Sequence, residues 1–195
     1  MAYKAVYYSR PLRFISQNEI KIAEYKELMK PVNFITVNMD IPEQSGGNLI
    51  EIIRSKVLTA FEEKRAPLFV DQTGLYLDAW NGLPGGLTDI FWKRLKLTGF
   101  LKLLENENNR KAVAITTIGY CDGRNIHYFQ GKLSGTIAHH PMGELGTQWD
   151  PVFIPQGENR TFAEMPKEDR LKISMRLTAA TDFKDFLLKQ RSSCR

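Results

Sequence analysis

The chain has 195 residues, 27 Lys and Arg against 22 Asp and Glu, a formal net charge of +5 and 43% hydrophobic residues, which is ordinary for a globular domain and excludes fibrous, disordered and disulfide-scaffold classes. No apolar run approaches the roughly 20 residues needed to cross a bilayer, the N-terminus MAYKAVYYSRP has neither the apolar core nor the cleavage site of a signal peptide, and Cys121 and Cys194 are expected to be free thiols in a cytoplasmic protein. The positive balance is spread out, with no basic block interleaved with aromatics; it fits a pocket for a polyanionic small molecule as well as nucleic acid, so charge alone does not separate nucleotide from polynucleotide.

In chain order, Leu12–Ile15 reads as a short strand that runs through Ser16-Gln17-Asn18 into a helix with Ile20, Ala23, Glu24 and Leu28 at helical spacing, up to Pro31. The N-terminus of that helix would present N–H groups and a positive dipole end to an anion, and Lys21 adds a charge one turn in. Residues 34–39 read as a second strand and 40–47 as a loop, followed by an amphipathic helix over Leu49–Lys64. Residues 67–70 read as a buried strand after which Asp71, Gln72 and Thr73 are offered to a ligand crevice. An apolar pattern resumes over 75–77, and Asn81, Gly82, Pro84, Gly85 and Gly86 form a turn cluster.

Helical stretches follow at 87–95 and 98–105, the second ending at the polar break 106–110. Three consecutive strands are expected at 112–120, 125–132 and 135–138, with Asp122-Gly123 as a hairpin signal. The adjacent His139-His140 would point apart on a strand and have no third ligand nearby, so they read as a surface loop. Residues 167–190 read as largely helical, with Leu177, Ala180, Phe183, Phe186 and Leu187 on the apolar side. The pattern as a whole predicts an α/β fold: one domain over residues 1–195 with a long mixed β-sheet flanked by helices and a smaller antiparallel extension.

The stretch FVDQTGLYLDAWNGLPGG resembles the signature of the inosine triphosphate pyrophosphatase family of non-standard purine nucleoside triphosphate pyrophosphatases, which have a Maf/Ham-like fold. Companions occur in the same order as in that family: Ser16-Gln17-Asn18-Glu19-Ile20-Lys21, Pro42-Glu43, Lys56, Trp149-Asp150-Pro151, Thr161-Phe162-Ala163-Glu164-Met165 and Ser174-Met175-Arg176. The resemblance implies two lobes with a nucleotide cleft between them, a homodimer, and hydrolysis of a nucleoside triphosphate to monophosphate and pyrophosphate. It implies Ser16, Asn18, Lys21 and Lys56 on the triphosphate, Asp150 and Arg176 bracketing the base with Met175 at the position that reads it, and Thr73, Trp149 and Arg170 among the other substrate-binding residues. It also implies Mg²⁺ or Mn²⁺ held by Glu43 and the residue at position 72.

Such chemistry requires charge neutralisation, cations on the phosphates and a carboxylate to activate water. The family's water-activating aspartate falls on Gln72, an amide that cannot take a proton. Asp89 stands where a phosphate-contacting lysine is common, and Gln148 replaces a glycine. Arg170-Leu171 replaces a Lys-Asn pair, and Met175 a histidine. Two readings follow: a working pyrophosphatase in which Asp71 or Asp89 supplies the carboxylate, with Gln72 in the catalytic set, or a non-catalytic relative that binds a nucleotide or a protein partner.

Overall fold

The computed structural model describes residues 11–41, 48–144, 146 and 148–192. Its strands form one seven-stranded mixed sheet. Strand β1 (Leu12–Ile15) lies between β2 (Phe34–Val37) and β3 (Leu68–Leu77), parallel to both. β3 also pairs antiparallel with the short β4 (Pro84–Gly85) and with β5 (Lys111–Cys121); β6 (Ile126–Ile137) and β7 (Phe153–Pro155) extend the antiparallel side. The helices are α1 (Glu19–Leu28), α2 (Leu49–Lys64), α3 (Thr88–Leu103), α4 (Lys167–Ile173) and α5 (Met175–Ser192).

Alternation along β3 sorts its side chains between two layers. Phe69 packs with Phe14, with Tyr25 of α1 and with Phe183 of α5, while Leu68 and Val70 meet Ile53, Val57 and Ala60 of α2. Phe14 and Phe69 stack with centroids 4.5 Å apart, and each such buried ring contributes about 1.5–3 kcal/mol. A third apolar cluster joins Leu75 and Leu77 to Phe100 of α3, Trp149, Phe153 and Phe162. Arg110 ties these parts together, donating to the carbonyls of Leu104, Ile137 and Ala138 at 2.7–2.8 Å.

The structure departs from the sequence expectation at β3, at β6 and in the C-terminal helical region, and β2 ends at Val37, short of the expected residue 39. β3 does not stop at residue 70 but runs unbroken through Asp71, Gln72 and Thr73 to Leu77, in register with β5 throughout. The strands expected at 125–132 and 135–138 are one strand, β6. Its glycines are sites of close approach: a Cβ on Gly131 would lie 1.8 Å from the Met175 carbonyl oxygen, and one on Gly135 2.4 Å from that of Ile154. The C-terminal helical region is broken at Ser174, whose extended backbone separates α4 from α5. The expected division between 87–95 and 98–105 survives as a kink in α3 at Lys96, with φ 55° and ψ −179°. Cys121 is a buried free thiol, and Cys194 lies outside the described residues. No helix among the described residues is long and apolar enough to cross a membrane.

Candidate active site

A cleft of about 520 Å³ opens beyond the carboxyl ends of β1 and β2, along the middle of β3, where open α/β sheets commonly bind ligands. α1 begins there. Asn18 caps it by accepting from Lys21 N at 3.0 Å, and the Ser16 hydroxyl accepts from Asn18 N at 3.2 Å, so both residues shape an N-terminus suited to an anion.

Asp71 and Gln72 face opposite ways. Lys21 Nζ donates to Asp71 Oδ1 at 3.0 Å, and Arg176 Nε stands 3.6 Å from Asp71 Oδ2. Burial alone would raise the Asp71 carboxyl, but Lys21 and Arg176 outweigh it and hold the group below the usual carboxylate range. Arg176 also pairs with buried Glu24 and lies over the Tyr25 ring, 5.9 Å from its centroid. Arg170 stands 3.8 Å from Glu24 and 3.5 Å from Asp150, so one ion network links α1, β3, α4 and α5. Burial would lower the Arg176 guanidinium, yet Asp71 and Glu24 raise it.

On the other side, Lys56 Nζ donates to Gln72 Oε1 at 2.6 Å, and Gln72 Nε2 donates to Asp89 Oδ2 at 3.1 Å. An ammonium only donates and a carboxylate only accepts, so the Gln72 amide has one orientation that serves both neighbours. Gln148 Nε2 donates to Asp89 Oδ1 at 2.9 Å. The Gln148 backbone is left-handed at φ 53°, a conformation that costs a non-glycine residue about 1–2 kcal/mol. The backbone of Asp89 is anchored one residue earlier. The Thr88 hydroxyl donates to Gly85 O at 2.6 Å and accepts from Leu75 N at 2.8 Å.

The cleft thus brings together Ser16, Asn18, Lys21, Lys56, Asp71 and Gln72 with Asp89, Trp149, Asp150, Arg170, Met175 and Arg176. Thr73 lines it too, its hydroxyl 2.8 Å from that of Thr116. Trp149 and Met175 line it while also packing in the apolar cluster with Phe162. Glu43 lies outside the described residues. Among the described residues no group of three His, Cys, Asp or Glu side chains is placed to hold a metal, and the Gln72 oxygen is directed at the Lys56 ammonium, which disfavours it as a ligand. His139 and His140 are exposed.

Sequence reasoning did not place Glu24 or Gln148 among the site residues. A signal for Glu24 was present, since a carboxylate at an apolar-stripe position of α1 needs a buried partner. Gln148 was marked only as the replacement of a glycine, and nothing local joined it to Asp89, 59 residues away.

The sequence model of the Ham1 family matches residues 12–186. Similar proteins include a dITP/XTP pyrophosphatase of Thermococcus kodakarensis, 35% identical over 178 residues that cover 90% of this chain and 96% of that protein. An inosine triphosphate pyrophosphatase of Kluyveromyces lactis is 36% identical over 183 residues, covering 89% of this chain and 94% of that protein. Among solved structures, a HAM1 protein from Coxiella burnetii matches with a TM-score of 0.82 at 26% identity, covering 91% of this chain and 98% of that one.

Proposed function

The chain belongs to the Ham1 family, and from that premise we propose that it hydrolyses non-standard purine nucleoside triphosphates, such as those of inosine and xanthosine, to the monophosphate and pyrophosphate. The observation that carries this reading is the pair of ammonium groups, Lys21 at the capped start of α1 and Lys56 of α2, held by consecutive residues of β3. In this reading the triphosphate lies across Lys21, Lys56, Ser16, Asn18 and Thr73, and charge-assisted contacts hold it. The base lies against Trp149 and Met175, with Asp150, Arg170 and Arg176 at its polar edge.

We further infer a divalent cation, Mg²⁺ or Mn²⁺, bound mainly through phosphate oxygens as small hard cations often are, with Glu43 as the protein ligand that the resemblance implies. Its contribution when bound is to neutralise triphosphate charge. The described residues do not build that site by themselves, and Lys21 and Lys56 would bind and orient the phosphates beside it. The protein is proposed to work as a two-lobed homodimer in the cytoplasm, with no nucleic-acid or membrane partner.

A second reading, a relative that binds nucleotide without turnover, draws on the amide at position 72. Incubating the protein with inosine, deoxyinosine, xanthosine, adenosine and guanosine triphosphates and Mg²⁺ or Mn²⁺ separates the two. Pyrophosphate released first from the inosine or xanthosine nucleotides supports the enzyme. Tight binding with no release from any of them supports the second reading.

A further inference from the structure

We propose that Asp89 is the carboxylate that activates the attacking water, and that Gln72 and Gln148 are positioning residues that fix it; this rests on the pyrophosphohydrolase reading. Three residues from separate elements converge on one another: Gln72 from the middle of β3, Asp89 from the first turn of α3, and Gln148 from the turn before β7. Each oxygen of the Asp89 carboxylate accepts from one side-chain amide. Amide donors orient a carboxylate without adding a positive charge of their own.

Gln72 is suited to this place because it satisfies a cation and an anion at once. A carboxylate at position 72 would instead stand about 3 Å from that of Asp89, and like charges so close cannot both stay ionised. Gln148 adopts the left-handed backbone that glycine takes without strain, yet carries the side chain that reaches Asp89. Asp89 is half-buried in the cleft wall beside the Lys56–Gln72 pair, and the Thr88 hydroxyl locks the start of its helix to β3 and β4. Asp71 is placed differently, on the opposite face of β3 and between Lys21 and Arg176, where its ionised form anchors the ion network.

In the step assigned to Asp89, a carboxylate oxygen takes a proton from water as the water oxygen bonds to the α-phosphorus. The bond from that phosphorus to the α–β bridging oxygen breaks, and its electron pair leaves with pyrophosphate. The proton then passes from Asp89 to solvent. Water is consumed, and monophosphate and pyrophosphate are formed.

The test uses the full chain with inosine triphosphate as substrate and its α,β-methylene analogue as a binding probe. Asp89→Asn is expected to lower kcat at least 100-fold, the range of a lost general base, while analogue affinity stays within three-fold. Gln148→Gly removes the amide and relieves the backbone. It is expected to lower kcat about ten-fold with KM within two-fold and no drop in melting temperature, a combination that a purely structural role would not give. Asp89→Asn retaining wild-type kcat, Asp89→Asn losing analogue binding, or Gln148→Gly retaining wild-type kcat would each overturn the assignment. Absence of pyrophosphate release by the wild type on every purine triphosphate would overturn the enzyme reading and this proposal together, whereas an active wild type with an unimpaired Asp89→Asn variant overturns this proposal alone.

Discussion

Asp71 and Gln72 are joined by one peptide bond, yet Asp71 meets Lys21 of α1 and Arg176 of α5 while Gln72 meets Lys56 of α2 and Asp89 of α3. Because side chains alternate along a strand, this single step of β3 supplies both walls of the cleft. The two lysines thereby stand on opposite sides of the strand, and in the proposed reading they flank the polyphosphate.

Removing one of these ammonium groups should therefore be felt in affinity. Charge-assisted contacts to phosphate are worth about 1.5–3 kcal/mol, so Lys56→Ala should weaken binding of the α,β-methylene analogue about ten-fold or more. Calorimetry at low and high salt checks this; an unchanged dissociation constant at low salt would place the phosphates elsewhere.

The depressed Asp71 carboxyl makes stability depend on pH in one direction. A carboxyl that titrates below its unfolded value contributes stability that is fully present above about pH 4. That contribution is lost as pH falls through the folded value. Asp71→Asn should thus lower the melting temperature clearly at pH 7, because removing one partner of a buried ion pair costs about 3 kcal/mol or more. The gap to wild type should narrow as the pH drops toward 3. A constant gap across thermal melts at pH 3, 5 and 7 would contradict the ion-pair account.

Met175 lines the cleft with a thioether, not a polar hydrogen-bonding group, and in the proposed reading it faces the base. Preference for inosine over adenosine triphosphate should be blunted, since no buried polar group is left unpaired when the wrong base enters. Met175→His should raise that preference several-fold, read as the ratio of kcat/KM or of affinities. A wild-type protein already strongly selective for inosine triphosphate would refute this role for Met175.

Arg110 is a test of the scaffold rather than the site. Its guanidinium serves three carbonyls in a buried position, and burial lowers its tendency to hold the proton. Arg110→Ala leaves those carbonyls without their donor and should destabilise by about 3 kcal/mol in urea unfolding. Arg110→Lys should recover only part, because one ammonium cannot reproduce the planar fork.

Legibility from sequence followed the range of the interactions. β1 and α2 were read to the residue because an apolar run and a 3.6-residue stripe are local signals. β3 was cut short because Asp71, Gln72 and Thr73 interrupt the apolar pattern; they remain in the strand because Lys21, Lys56 and Thr116 meet their polar groups across the chain. The break expected at 133–134 falls inside β6, where the neighbouring Gly131 and Gly135 allow close contact with α5 and β7. The site residues came from ordered motifs, so their positions along the chain were legible but their pairing was not. Nothing local joins Gln72 to Asp89 or Asp89 to Gln148, since those contacts exist only once α3 and the turn before β7 are docked.

At Gly131 the first residue of α5 rests main chain against main chain on β6. No side chain cushions that seat, so the tilt and height of the helix start, and with them the reach of Arg176, are dictated by the sheet itself. An engineer seeking room for a bulkier base would gain nothing by trimming beneath α5. The adjustable walls are Asp150 and Arg170, which approach from the turn before β7 and from α4. Gly131 is the foundation to leave untouched, since even one methyl group there would lift the helix and displace Arg176.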